Sequence, residues 1–330
     1  MMLAQFGPGC SDHCSDNVKD LEETGIDCGG SCPEPCSPEI PLTTNNPDTG
    51  KKPCVDQAHL DSSVNVANGN LYNEFGISPS SKLPTTLSYN SRSERESLFG
   101  YGWNADFDVR LLINSDGSAV LVDSDGREEM YKSNSDGTFV TPADTYDALS
   151  KVDGQYQLQR KNGNLVVFDS DGKPITSTDR NGNQTTFGYD NGQVAEIMDP
   201  DNNVLSFNRD EKGRITAISD GTGRTSSFAY DADGNLISIT DPAGQVTFVY
   251  DSGHNLLSKT DPAGNTTTYS YDDKDRLLGS MDAAGNTHSV QYVSDSVTTV
   301  TDPANNATEY TYNQDHIVTK TMMKPAISSP

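Results

Sequence analysis

No cysteine follows Cys54, and Trp103 is the single tryptophan among the 330 residues. Cations are scarce as well: 23 Lys and Arg stand against 48 Asp and Glu, a formal net charge of −25. Phosphate backbones need a basic face, so this balance argues against nucleic acid as a partner and against docking on anionic lipid. Hydrophobic residues make up only 33% of the chain, and no apolar run approaches the roughly 20 residues of a membrane-spanning helix. No segment carries a capped 3.6-residue periodicity, so helix is expected to be minor. The chain also lacks G-x-S-x-G, P-loop and H-E-x-x-H patterns, which removes the common nucleophile, phosphate and zinc-protease sites. His59, His254, His288 and His316 are scattered, with no nucleophile motif beside them.

What the chain does have is aromatics on a schedule. Its 14 Tyr and 10 Phe recur regularly, and 28 Gly with 17 Pro supply many turns. Low bulk hydrophobicity with periodic aromatics predicts thin sheets that bury one face. The first 54 residues differ: they hold Cys10, Cys14, Cys28, Cys32, Cys36 and Cys54. An even count in a Gly/Pro/Asp-rich stretch predicts a small disulfide knot made in an oxidising compartment, with 15 pairings open. The C-x3-C spacings do not match the usual zinc pairs. Met1 to Gly9 has no basic and apolar leader pattern. Residues 37–55 read as a Pro/Thr/Asn-rich linker.

The second half is a tandem array. Taking one Asp per unit, Asp179, Asp199, Asp220, Asp241, Asp261, Asp282 and Asp302 recur in steps of 20 or 21. Three residues later comes Gly182, Asn202, Gly223, Gly244, Gly264, Gly285 or Asn305. About ten residues past the Asp lies Tyr189, Tyr230, Tyr250, Tyr271, Tyr292 or Tyr312, four of them followed by Asp190, Asp231, Asp251 and Asp272. Seven units in phase mark a repeat architecture. Within one unit, Asp233-Gly234 and Asp241-Pro242-Ala243-Gly244 are turns. Leu236, Ile237 and Ile239 lie on a strand, and Val246, Phe248 and Tyr250 alternate along the returning one. Each unit is thus one hairpin plus a turn, and stacking hairpins into one sheet stabilises them. The period-2 pattern predicts that Val246, Phe248 and Tyr250 share the packed face. Residues 100–179 have the same texture, with Asp-Gly or Asn-Gly turns around strands such as Ala119–Val122 and Leu165–Phe168.

The run Tyr230 to Leu277, YDADGNLISITDPAGQVTFVYDSGHNLLSKTDPAGNTTTYSYDDKDRL, resembles the YD repeats of the Rhs family, which also occur in teneurins and toxin-complex shells. Upstream, Val64-Asn65-Val66-Ala67-Asn68-Gly69-Asn70-Leu71, Leu87 to Arg92 and Phe99-Gly100-Tyr101-Gly102-Trp103 resemble the N-terminal Rhs region. The likeness spans about Asp56 to Tyr312. Leu21 to Cys32 also resembles a short Cys-rich module of bacterial surface proteins. The family resemblance implies an all-β fold in which tandem hairpins form a curved continuous sheet, part of a hollow shell that encloses or presents a C-terminal effector. The expected division is 1–36 Cys-rich, 37–55 linker, 56–178 N-terminal β region, 179–319 repeat array and 320–330 tail. Family shells are much longer than seven units, and no cleavage signature or toxin domain is recognised before Pro330.

The expected function is therefore non-enzymatic and structural, in an exported protein at the cell surface or outside the cell. Its expected partners are the remainder of a longer chain or an effector. The alternative is an adhesin or fibre-former that binds calcium, glycan or a cell-surface partner, or pairs through sheet edges. A β-rich glycoside-active enzyme is a third reading, but no carboxylate pair stands out from the turn background. Asp123-Ser124-Asp125-Gly126, Asp169-Ser170-Asp171-Gly172 and Asp231-Ala232-Asp233-Gly234 resemble the start of calcium loops. They lack the closing Glu and are read as hairpin turns; no cofactor is expected beyond weak surface calcium. Trp103 is expected to anchor packing near the N-terminal region, and the Tyr column to stack across strands.

Overall fold

The computed structural model describes residues 57–59, 63–80, 82–93, 95–142, 145–314, 316 and 318–324. The six cysteines and the linker expectation lie outside them. Among the described residues every element is a strand, with no helix. Eighteen strands, from Ala148–Val152 to Val318–Lys324, form one antiparallel sheet in strict sequence order. The sheet therefore runs back past Asp179. A five-stranded sheet contains Gln57–His59, Ser63–Asn65, Leu71–Ile77, Thr85–Asn90 and Trp103–Ala105, and a four-stranded one contains residues 110–140. Strands 119–122 and 165–168 fall where the sequence places them.

Most turns of the array follow one plan. In Asp282-Ala283-Ala284-Gly285-Asn286 the Gly285 N–H donates to the Asp282 carbonyl, and the Asp282 N–H donates to the Asn286 carbonyl, both at 3.0 Å. Gly285 sits at φ 85°. This is a three-residue hairpin loop with a bulge at its left-handed residue. The Asp side chain completes it: Oδ1 accepts the N–H groups of Ala284 and Asn286, and Oδ2 accepts Asn286 Nδ2 at 2.7 Å. Asp179, Asp199, Asp261 and Asp302 use Asn183, Asn203, Asn265 and Asn306 in the same way. Two units depart. Asp190-Asn191-Gly192-Gln193 is one residue shorter and makes a two-residue turn, with Asn191 and Gly192 both at positive φ. Asp241 pairs directly with Gly244 across Pro242-Ala243.

One face of the array is the core. Phe248 is buried, and Val246 and Tyr250 pack against the same cluster, as their alternation predicts. That cluster joins array residues, including Ile215, Leu236, Leu256 and Leu277, to Val64, Leu71, Leu87, Tyr89, Phe99 and Trp103 of the N-terminal segment. Trp103 is fully buried, with its ring centroid 5.1 Å from those of Phe75 and Phe248. A second cluster seats the four-stranded sheet on the first strands of the array through Leu111, Leu121, Tyr131, Leu158 and Phe168.

Candidate functional site

The signature residues are engaged in holding the ribbon together. Five of the six column tyrosines reach back to a main-chain carbonyl at the start of a neighbouring strand. Tyr189 donates to Pro174, Tyr230 to Ile215, Tyr250 to Leu236, Tyr271 to Leu256 and Tyr292 to Leu277, at 2.6 to 3.1 Å. Tyr312 instead meets Thr298 Oγ1 at 3.2 Å. The bulge beside these tyrosines shifts the register, as between Ser270 and Tyr271. The phenol then serves the carbonyl that the ladder leaves over. The expected ring stacking along the column does not form. Successive tyrosines are at least two strands apart, about 9–10 Å or more, beyond the roughly 4.5–7 Å of aromatic pairing. Burial first of all pushes the Tyr250 and Tyr271 hydroxyls well above their ordinary pKa, so they remain donors.

The turn residues are similarly committed. Asp179, Asp261, Asp282 and Asp302 are held below the usual carboxylate range, chiefly by the Asn side chain four residues on and then by turn N–H groups. Gly182, Gly264 and Gly285 occupy left-handed positions near φ 85–88°. Asp220 accepts both the N–H and the hydroxyl of Thr222, with Gly223 at φ 102°. Asp231, Asp251 and Asp272 cap their turns against Asn235, Asn255 and Arg276. Asp190 caps none, because its turn is a residue short.

Four successive turns on one side of the array form a seam with the N-terminal sheet. The Ile215 N–H donates to Leu98 O at 2.8 Å, and the Leu277 N–H to Gly69 O at 3.0 Å. Tyr89 Oη accepts from Leu256 N–H at 3.0 Å and donates to His254 O at 2.8 Å. At the turn between these, Gly100 lies so close to the Gly234 carbonyl that a Cβ would collide with it. Trp103 Nε1 donates to Tyr250 Oη at 3.0 Å, and Thr298 donates to Val66 O at 2.7 Å. His254, a scattered histidine in the sequence, stacks on Tyr101 at 4.0 Å. The N-terminal motifs Val64–Leu71 and Phe99–Trp103 are thus the residues that meet the repeats.

The Asp123 turn is a buried ionic junction rather than an open cation loop. Arg160 grips both Asp123 oxygens, at 2.6 and 2.7 Å, and also reaches Asp147 at 2.8 Å; Arg127 bridges Asp123 and Glu129. Burial alone would raise the Asp123 carboxyl, but Arg160 and Arg127 hold it well below the usual range. Among the described residues no group of three or more His, Cys, Asp or Glu is placed to hold a metal.

A cleft of 490 Å³ opens where the two core clusters meet. Its lining includes Arg110, Lys173, Lys212, Arg214, Asp108 and Tyr189. Nothing in the sequence pattern marked it, because it is assembled from several separate segments.

The fold and seam define an all-β hairpin-repeat ribbon whose packed face is sealed by an N-terminal sheet. The family model described as RHS Repeat matches residues 190–225, 230–265 and 250–287, and Domain of unknown function (DUF6531) matches 61–131. The tRNA nuclease WapA of Bacillus subtilis (strain 168) is 30% identical over 131 residues, 38% of this chain and 6% of that protein. The tRNA3(Ser)-specific nuclease WapA of Bacillus spizizenii matches to the same extent. The chain thus spans 6% of the length of the curated relatives it matches. Among solved structures, the crystal structure of TcdB2-TccC3 aligns with 77% of this chain and 22% of that one, at 11% identity and a TM-score of 0.26. A porin-like protein from Bacteroides uniformis ATCC 8492 aligns with 78% and 94%, at 12% identity and 0.23. The repeats and the N-terminal region that precedes them place this chain among the Rhs-repeat proteins.

Proposed function

We propose that the chain is a non-enzymatic, structural portion of an exported Rhs-repeat protein, its array forming part of the wall of a β-shell or scaffold around an effector. The observation that carries this reading is the fate of the repeat signature. Its turn aspartates, glycines and tyrosines hold intramolecular hydrogen bonds or turn geometry. A residue type spent at every repeat on backbone geometry is a scaffold residue. The nuclease activity named for the WapA proteins is not assigned to residues 57–324. The expected partners are the rest of a longer Rhs-type chain and its effector, outside the cell or at its surface. The test is the mass of the native polypeptide in its source cells, with its C-terminal sequence. A chain that continues far past Pro330 and appears as a hollow particle by electron microscopy fits the proposal. A compact 330-residue monomer with no lumen contradicts it.

A second reading rests on the sheet's ends. Among the described residues Ala148–Val152 and Val318–Lys324 each pair on one side only, and Met323 of the last strand is 82% exposed. Such edges invite strand pairing, which favours self-association in an adhesive or fibre-forming role. Sedimentation velocity with and without calcium separates the two readings: concentration-dependent oligomers support edge pairing, and a calcium-indifferent monomer counts against it.

A further inference from the structure

The cleft between the two cores is chemically out of character with the chain. In a molecule of net charge −25 its lining brings together Arg95, Arg110, Lys173, Lys212 and Arg214 against Glu96 and Asp108. Three of these cations are spoken for: Arg95 by Glu128, Arg110 by Asp108 and Arg214 by Asp210. Lys173 and Lys212 have no carboxylate partner among the described residues. Gly192 keeps space for one of them, since a Cβ there would stand 3.3 Å from Lys173 Nζ.

The rest of the lining narrows the ligand. Phe107, Phe187 and Tyr189 give it aromatic surface. Tyr189 is 37% exposed, with its hydroxyl anchored on Pro174 O, so its ring is fixed and presented. Asp108 is buried; Oδ1 takes Arg110 Nη1, while Oδ2 has no donor. Free phosphate would meet the ammonium groups but give the rings nothing to pack on. A peptide supplies both complements at once: side-chain carboxylates for the ammonium groups and an apolar side chain for the rings. The volume lies within the roughly 300–1,000 Å³ of ligand clefts.

We propose that this cleft binds an acidic peptide segment in which carboxylates flank an aromatic or aliphatic side chain. Lys173 and Lys212 take the carboxylates, and Tyr189 and Phe187 take the apolar side chain. The site is independent of the scaffold role.

The test is calorimetric titration of the full chain with an N-acetylated, C-amidated pentapeptide of alternating Glu and Phe, and with its Lys/Phe counterpart. The acidic peptide should bind with a dissociation constant below about 1 mM and the basic one should not. Lys173→Gln combined with Lys212→Gln should weaken binding at least about tenfold, as loss of charge-assisted hydrogen bonds does. Lys320→Gln, away from the cleft, should leave it unchanged. Trp103 fluorescence verifies that each variant keeps the fold. Absence of acidic-peptide binding, equal affinity in the double variant, binding of both peptides, or equal competition by inorganic phosphate or an acidic sugar would overturn the proposal.

Discussion

Two glycines in the same backbone conformation separate the cost of strain from the cost of contact. Gly182 sits at φ 86° with open space around its missing side chain. Gly69 sits at φ 78°, where a Cβ would run into Arg276 Cβ and stand 2.5 Å from Tyr292 Oη. Gly182→Ala should cost about 1–2 kcal/mol, the left-handed penalty alone. Gly69→Ala should cost clearly more, because it also pushes the N-terminal sheet off the repeats. Urea midpoints of both variants check the order. The tyrosine latch is testable in the same way. Tyr271→Phe leaves the carbonyl of the buried Leu256 without its donor, and a loss of about 1–3 kcal/mol is expected.

The turn aspartates also set a direction for pH. Asp179, Asp261, Asp282 and Asp302 have folded pKa values below their unfolded ones. Their contribution is therefore fully present above the unfolded value, about 3.9. It disappears as pH falls through the lower folded values. The urea midpoint should respond little to these groups between pH 7 and 5 and decline below about pH 4. A midpoint unchanged down to pH 2 would contradict the role given to these turns.

Elements are held by contacts of two ranges, and only one leaves a mark in the sequence. Arg160 belongs to the long-range kind: its guanidinium joins Asp123 and Asp147 across the junction between the four-stranded sheet and the array. Arg160→Ala strands those carboxylates and should cost about 3–5 kcal/mol, readable as a drop in the thermal midpoint. The repeat phase, the turns and the packed face of Val246, Phe248 and Tyr250 were legible because each depends on residues within five positions or on simple alternation. The buried role of Trp103 was legible from its Gly-Tyr-Gly-Trp setting. The seam was not, since Tyr89 and Leu256 are joined across 167 positions with no local pattern. Nor was the true start of the large sheet at Ala148, where turns such as Arg160 to Gly163 work without the Tyr-Asp pair. The Tyr column was seen but misassigned, because spacing alone does not reveal that successive rings lie at least two strands apart. The cleft had no signal at all: Lys173 and Lys212 look like ordinary turn residues until the fold opposes them to Asp108.

For the whole molecule, the consequence is shared folding. A thin sheet with one apolar face exposes that face unless something covers it, and here the N-terminal sheet does so within one core cluster. Scaffold and cover should therefore unfold together. Trp103, the only indole, sits in that seam on Tyr250 and reports on it directly. The decisive measurement is equilibrium urea unfolding followed in parallel by Trp103 fluorescence and by far-ultraviolet circular dichroism of the strands. Coincident transitions with one midpoint are predicted. An early fluorescence transition that leaves the β signal intact would show that the array stands without its cover, and would contradict the account.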